Sequence, residues 1–214
     1  MFLASRPGAA LQVVVLAIAA LLIPGAAWLS PMAIALIAVA LLWLAGDDWR
    51  SAGFGRPTRR AFWWLTIAVV IGLAWQYAAS GFVVPFISQR LGASAPSMVS
   101  AGARLPSGST GFVFSLIVFG IIHPLAGALA YRAFLLSRLE RLLGATPSGL
   151  AASLIVGSVL FGLGNAYQGW AGFLATALTG VVLNLLYYWA RRNVWPSALA
   201  HAVYNISAII LLSL

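Results

Sequence analysis

Residues 111–142 read GFVFSLIVFGIIHPLAGALAYRAFLLSRLERL, and this stretch decides the fold class. It is longer than the roughly 20 apolar residues that cross a bilayer as one helix. Pro124 removes a backbone hydrogen bond, which predicts a kinked helix or two helices broken at His123 and Pro124. The charged residues at its end, Arg138, Glu140 and Arg141, predict that the last turns emerge from the membrane.

The rest of the chain has the same apolar character. Of its 214 residues, 63% are hydrophobic and 7% are charged, and the charged residues are 12 Arg, two Asp and one Glu. A soluble domain carries about 25% charged residues, so the composition predicts an all-α, polytopic transmembrane helical bundle. The chain contains no cysteine, which excludes disulfides, thiolate metal sites and a cysteine nucleophile.

Hydropathy in windows of about 19 residues predicts about seven spans, or eight if the helix near Pro124 is broken. Residues 1–110 are interpreted as N-terminal transmembrane helices with a cytoplasmic arginine loop and a long exterior loop at 83–110. Residues 111–214 are interpreted as a transmembrane core. The predicted spans are 9–28, 31–46, 62–82, 111–142, 148–166, 170–190 and 194–213. Small residues that allow close helix approach lie in the fifth span, at Gly157, Gly162 and Gly164.

The distribution of arginines predicts the orientation of the bundle. Nine arginines fall on the side of the N-terminus and two on the other side, which predicts a multi-pass protein of the inner (cytoplasmic) membrane with a cytoplasmic N-terminus. This placement explains the basic charge without nucleic acid, so the predicted partners are the lipid bilayer and a membrane-embedded peptide or protein. The nine are Arg6, Arg50, Arg56, Arg59, Arg60, Arg138, Arg141, Arg191 and Arg192, and the two are Arg90 and Arg104.

Polar side chains at membrane depth concentrate in the C-terminal half, and each needs a partner or water there. His201 and Asn205 are four residues apart, which places them on one helix face. A structural interpretation is open for every one of these residues. Asn165, His201 and Asn205 are explained by interhelical hydrogen bonds, Arg132 by extension to the membrane interface, and His123 by carbonyls that a proline kink frees.

Taken in order, these segments resemble the CPBP family, the CAAX protease and bacteriocin-processing or Abi family of intramembrane proteases, which includes the eukaryotic Ras-converting CAAX endopeptidase. The family pattern is Glu-Glu-x-x-x-Arg on one span, Phe-x-x-x-His on the next, and His-x-x-x-Asn or Asp two spans later. In this sequence 131–136 matches the end of the first motif, 161–164 the start of the second, and 195–201 with Asn205 the third. The resemblance covers roughly residues 111–212 and implies an intramembrane hydrolase core.

Three family positions are replaced in this sequence. Counted back from the motif arginine, the paired glutamates are Gly127 and Ala128, and the second-motif histidine is Asn165. The resemblance implies that the glutamates and that histidine activate or position the attacking water, and that the third motif helps to stabilise the oxyanion. The general base is therefore missing. The predicted site residues are His201, Asn205 and Arg132 with the replaced positions Asn165, Gly127 and Ala128.

No metal and no cofactor are predicted, because two histidines without carboxylate or thiolate fall short of the three protein ligands usual for catalytic zinc. The first functional hypothesis is a catalytically degenerate family member, a pseudoenzyme that binds a membrane peptide, lipid-linked group or partner without cutting it. The second is a genuine intramembrane endopeptidase whose active site is substituted in this sequence. A separate alternative is residual activity with His123 as the base. The third is a structural subunit of a membrane complex or a small transporter. Losing a general base costs about 10²–10⁴ in rate, which favours the first.

Overall fold

The computed structural model describes residues 2–22, 29–50, 52–55, 59–93 and 108–213, without the side chains of 59–62. Seven principal helices form this described part, and the predicted all-α class is confirmed. They are α1 (Arg6–Leu22), α2 (Ser30–Leu44), α3 (59–91), α4 (Gly108–Leu143), α5 (Pro147–Leu163), α6 (Gly169–Trp189) and α7 (Val194–Ser213).

The helices differ in length. Helices α3, α4, α6 and α7 are long and apolar enough to cross a membrane, whereas α1, α2 and α5 are apolar but shorter. A multi-pass membrane bundle is thereby confirmed, and the number of spans stays at about seven. The predicted end of the first span, 23–28, lies outside the described residues.

Two helices continue through a proline where the sequence predicts a kink or a break in one case and a loop in the other. Helix α4 is continuous across Pro124 and contains π-helical stretches at Leu116–Ile122 and Ala128–Leu136, so the alternative of a break there is wrong. Helix α3 contains the π-helical stretch Ala79–Val83 and continues to Leu91. The prediction that the loop begins at residue 83 is therefore wrong. In a π turn each N–H donates its hydrogen bond to the carbonyl five residues earlier instead of four. A helix with such turns can therefore continue through a proline, which has no N–H to donate.

The core of the bundle surrounds the second half of α4. Eight of the nine residues in Ala128–Leu136 are buried. Six of these eight, all except Ala128 and Arg132, belong to one apolar cluster with Leu16 of α1, Ile34 of α2, Phe161 of α5 and Tyr187 of α6. Helix α4 is therefore the central helix, and the side chains of its buried half are positioned by four other helices.

Glycines allow α5 to approach α6 and α4 closely. A Cβ atom at Gly162 would lie 2.8 Å from the Cβ of Ala177 and 2.8 Å from the carbonyl oxygen of Phe173, both in α6. A Cβ atom at Gly157 would lie 2.7 Å from Cδ2 of Leu136 in α4. Real side-chain atoms do not come this close, so the predicted close approach through these two glycines is confirmed.

Ionic contacts hold the connections together at one end of the bundle, which we call the arginine-rich end (described residues 45–50, 52–55, 144–146 and 190–193). Asp47 accepts hydrogen bonds from Arg138 and, at 2.6 Å, from Arg141. Arg138 also donates to Gln12 of α1 at 2.6 Å. Burial by itself would raise the pKa of Asp47, but the hydrogen bonds and charges of Arg141 and Arg138 outweigh it and lower this pKa below 3.8.

The remaining acids lie at the same end. Glu140 pairs with Arg192 at 3.0 Å, and Asp48 follows Asp47 in the α2–α3 connection. The chain contains only these three acids. Every carboxylate side chain therefore lies at the arginine-rich end.

Candidate active site

Four of the six predicted site residues line one cavity of about 260 Å³ inside the bundle. They are Gly127, Asn165, His201 and Asn205. The cavity lining does not include Ala128, which is 3% exposed, or Arg132, which is 1% exposed. The cavity is not built from the last four helices alone, since α2 and α3 also contribute to it, through Ser30, Pro31, Ile34 and Val84.

The cavity extends away from the arginine-rich end. Its lining includes the first residues of α2, the turn between α5 and α6 and the last turn of α7, namely Ser30, Pro31, Tyr167, Gln168 and Leu212. Successive helices run in opposite directions, so these segments share the opposite end of the bundle. No carboxylate side chain lines the cavity, because all three acids of the chain lie at the other end.

Gly127 leaves room for a side chain between two basic groups. A Cβ atom built on Gly127 would lie 3.7 Å from both Nδ1 and Cε1 of His201. The same atom would lie 3.8 Å from Nη1 of Arg132. These are ordinary van der Waals distances. The position predicted to replace a glutamate of the family pattern therefore adjoins His201 and Arg132.

Arg132 turns inward from α4, so the interpretation that it extends to the membrane interface is wrong. Its Nη1 donates to the carbonyl oxygen of Gly127 at 3.3 Å, and its guanidinium carbon lies 4.5 Å from the centre of the Phe161 ring. The electron-rich ring face and the carbonyl attract the cation and explain its inward position. Its Nε and Nη2 are buried without a hydrogen-bond partner among the described residues.

His201 lies on the face of α7 that borders Gly127. Its ring meets the Phe161 ring edge to face, with 5.8 Å between centroids. Its Nδ1 is buried and has no hydrogen-bond partner in the described part of the chain. Asn205, one turn further along α7, lines the same cavity, as the four-residue spacing predicts.

Asn205 connects α7 to the proline-containing part of α4. Its Nδ2 donates to the carbonyl oxygen of Phe119 at 2.7 Å. In the π-helical register around it, a carbonyl accepts from the fifth residue that follows, as Val118 accepts from the N–H of the residue five positions on. For Phe119 that residue is Pro124, which has no N–H. Asn205 therefore satisfies the carbonyl that the proline leaves free, and the interhelical hydrogen-bonding interpretation is confirmed for this residue.

Asn165 lies outside helix α5, at the far end of the cavity. The helix ends at Leu163, two residues earlier. The Nδ2 of Asn165 donates to the carbonyl of Phe161 at 3.1 Å, and its Oδ1 accepts from Gln168 at 3.4 Å. The amide is therefore fixed to the turn between α5 and α6. It cannot gain a proton near neutral pH and cannot serve as a general base.

Three tyrosines, Tyr131, Tyr167 and Tyr204, line the cavity but were not among the predicted site residues. Tyr131 precedes Arg132 and contacts Phe161, with 4.9 Å between the ring centroids. Tyr204 lies three residues after His201, on the same face of α7. The three-residue spacing on a helix could have identified Tyr204. The position of Tyr131 depends on the π-helical register of α4, which the sequence does not reveal.

The described residues contain no group of three or more His, Cys, Asp and Glu side chains placed to hold a metal ion. The chemistry that the cavity offers is that of imidazoles and neutral hydroxyl and amide groups, with the buried guanidinium of Arg132 next to the lining residue Gly127. These groups can bind and polarise an anion or a carbonyl oxygen. They supply no carboxylate that could take a proton from water.

Residues 109–207 match the family model described as type II CAAX prenyl endopeptidase Rce1-like. The resemblance predicted from the motifs is confirmed over nearly the same segment. The match begins at the start of α4 and ends within α7, so it contains all six predicted site residues. The comparison with curated proteins and the comparison with solved structures each return no match.

Proposed function

We propose, from the premise that residues 109–207 belong to the Rce1-like CAAX protease family, that this protein is a non-catalytic member that binds a membrane peptide in its cavity without cleaving it. The observation that carries the proposal is the composition of the cavity. It contains His201, with Arg132 directly behind its wall, but it contains none of the three acids of the chain. Peptide hydrolysis by the mechanism that the family resemblance implies requires a group that takes a proton from the attacking water.

The two histidines of the cavity are poor replacements for that base. Protonation of His201 would place a second positive charge beside Arg132, since both border the Cβ position of Gly127 within 4 Å. Two cations in a buried site repel each other strongly unless an acid offsets them. His123 also lines the cavity, where its ring lies against that of Phe119 at 4.8 Å. Neither imidazole has a carboxylate beside it to stabilise the protonated form.

The shape and lining of the cavity support binding. Its volume of about 260 Å³ is close to the lower end of small-ligand pockets, about 300 Å³. Apolar side chains line it together with a few hydroxyl and amide groups. Among these groups are Tyr167, Gln168, Thr176, Thr179 and Tyr204. Such a mixed lining suits a peptide segment, which presents both backbone polar groups and apolar side chains.

The test uses the purified full-length protein in lipid nanodiscs with fluorescent prenylated and transmembrane peptides. We expect saturable binding of at least one peptide, and no cleavage product by mass spectrometry. Filling the cavity with Ala175→Trp should weaken binding at least tenfold, whereas Ala151→Trp on the exposed face of α5 should leave it unchanged. Turnover that disappears in His201→Ala would overturn the proposal.

A second candidate function is a genuine endopeptidase whose active site is substituted in this sequence. The space beside Gly127 favours it, because a side chain can begin there without a clash. Restoring Gly127→Glu, Ala128→Glu and Asn165→His together should then produce cleavage of a prenylated peptide. If the restored protein folds and still cleaves nothing, this candidate is excluded.

We also propose that the protein lies in the inner membrane, with its arginine-rich end facing the cytoplasm. The arginine distribution supports this orientation, and the cavity would then extend toward the exterior side. The chain has no native cysteine, so single cysteines report the topology cleanly. Ser213→Cys should react with a membrane-impermeant maleimide in intact cells, and Ala4→Cys only after permeabilisation. The reverse pattern would refute the orientation.

A further inference from the structure

Three buried nitrogen atoms near Gly127 have no hydrogen-bond partner among the described residues. They are Nε and Nη2 of Arg132 and Nδ1 of His201. Buried polar groups are nearly always paired, so a cluster of unpaired nitrogen atoms requires an explanation. The cluster adjoins the cavity, because Gly127 and His201 both line it.

The charge of Arg132 is also uncompensated. The guanidinium is 1% exposed and makes one hydrogen bond that the structure defines, a long one of 3.3 Å to the carbonyl of Gly127. The Phe161 ring offsets part of the charge. No acid can do so, because the three acids of the chain lie at the arginine-rich end. A buried cation of this kind is retained when an anion pairs with it.

We propose that the cavity binds a carboxylate, and that the carboxylate of the ligand occupies the space beside Gly127. There it would accept hydrogen bonds from Arg132 and from His201 in its Nδ1-protonated form. A glutamate side chain at position 127, as in the family pattern, would accept the same hydrogen bonds. Carboxylates suit this position because a guanidinium binds them with good geometry and strength. The inference rests on the proposed non-catalytic binding function and names the chemical class of its ligand.

The cavity provides a route to this position. It extends from Gly127 to the turn between α5 and α6 and to Leu212 at the end of α7. A ligand that enters at that end places its carboxylate at Gly127 and the rest of its length along the cavity. A fatty acid and a peptide with a free C-terminus both carry the required group.

The direct test is a titration of the purified full-length protein in detergent with sodium formate, against sodium chloride of equal ionic strength. Formate should raise the thermal midpoint saturably, by about 2 °C or more, and should broaden the ¹³C-formate signal. Arg132→Gln should remove both effects. Formate and chloride acting alike on the unmodified protein would overturn the inference.

A gain-of-carboxylate variant keeps the test decisive if Arg132→Gln does not fold. Gly127→Glu should raise the midpoint without formate and abolish the response to formate, since its own carboxylate fills the space. The matched control Ala145→Glu adds a carboxylate at an exposed position outside the cavity lining and should retain the response. A formate response in Gly127→Glu equal to that of the unmodified protein would also overturn the inference.

Two competition experiments distinguish the sources of the carboxylate. Oleate that displaces formate when methyl oleate does not would identify a fatty acid. A peptide acid that displaces formate when its C-terminal amide does not would identify a peptide. If peptides bind without cleavage while formate has no effect, the carboxylate inference fails and the proposed function stands. If formate binds but peptides are cleaved, the proposed function fails.

Discussion

At the scale of single residues, Asn205 and Pro124 explain each other. The proline leaves the carbonyl of Phe119 without its donor in the π-helical register, and the amide of Asn205 supplies one at 2.7 Å. A motif residue thus has a structural role whether or not the protein is an enzyme. Its retention by itself does not indicate catalysis.

We predict that Asn205→Ala lowers the free energy of unfolding by about 1–3 kcal/mol, because it leaves a buried carbonyl unsatisfied. In a Pro124→Ala background residue 124 regains an N–H, so the same substitution should cost less. SDS titration of the two single variants and the double variant measures both losses. Equal losses in the two backgrounds would contradict the assignment of the Phe119 carbonyl to Asn205.

At the scale of helices, the contact between α5 and α6 depends on a glycine that cannot accept a side chain. Gly162 faces the backbone and side chains of α6, where a Cβ would meet atoms at 2.8 Å. Gly81, in the π-helical stretch of α3, has no such neighbour within 4 Å. Alanine substitution at these two glycines therefore distinguishes the energetic cost of overpacking from the general preference of helices for alanine over glycine.

We predict that Gly162→Ala destabilises the protein by about 1–3 kcal/mol through overpacking. Gly81→Ala should be neutral or stabilising by up to about 1 kcal/mol, because it reduces the entropy of the unfolded chain. Thermal unfolding of both variants in the same detergent provides the comparison. A Gly162→Ala variant as stable as Gly81→Ala would show that α5 is free to move away from α6.

At the scale of the whole molecule, the two ends of the bundle have different chemistry. The arginine-rich end contains every acid and joins α1, the α2–α3 connection and α4 through Gln12, Asp47 and Arg138. The cavity extends toward the other end and contains no acid side chain. The ionic contacts and the proposed ligand cavity therefore lie toward opposite ends of the bundle.

We predict that Asp47→Asn lowers the stability at neutral pH by about 3–5 kcal/mol, because it leaves the buried Arg138 unpaired. The pKa of Asp47 is lowered in the folded protein, so its contribution is fully present above pH 3.8 and is lost as the pH falls through the folded pKa. The difference between the variant and the unmodified protein should shrink in that acidic range. Glu140→Gln, whose partner Arg192 is 47% exposed, should cost at most about 1 kcal/mol at neutral pH. A pH-independent loss in Asp47→Asn would contradict the ionic explanation.

The sequence by itself determined the membrane class, the helical fold and the resemblance of the C-terminal half to CAAX proteases. It also predicted that Gly127, Ala128 and Asn165 replace family residues. These properties can be read locally. A chain with few charged residues and long apolar segments has no stable alternative to membrane-spanning helices. The motif spacing can be read directly along the chain. The absence of a carboxylate base follows from counting three acids in 214 residues.

Only the tertiary structure decided how these residues act together. It turned Arg132 inward against Phe161, added Tyr131 and Tyr204 to the cavity, and carried α4 through Pro124. Each of these results depends on contacts between helices that are far apart in sequence, as between Phe119 and Asn205. Local preference predicts an interruption at a proline and an arginine at the interface. The packing of neighbouring helices supplies the partners that reverse both expectations.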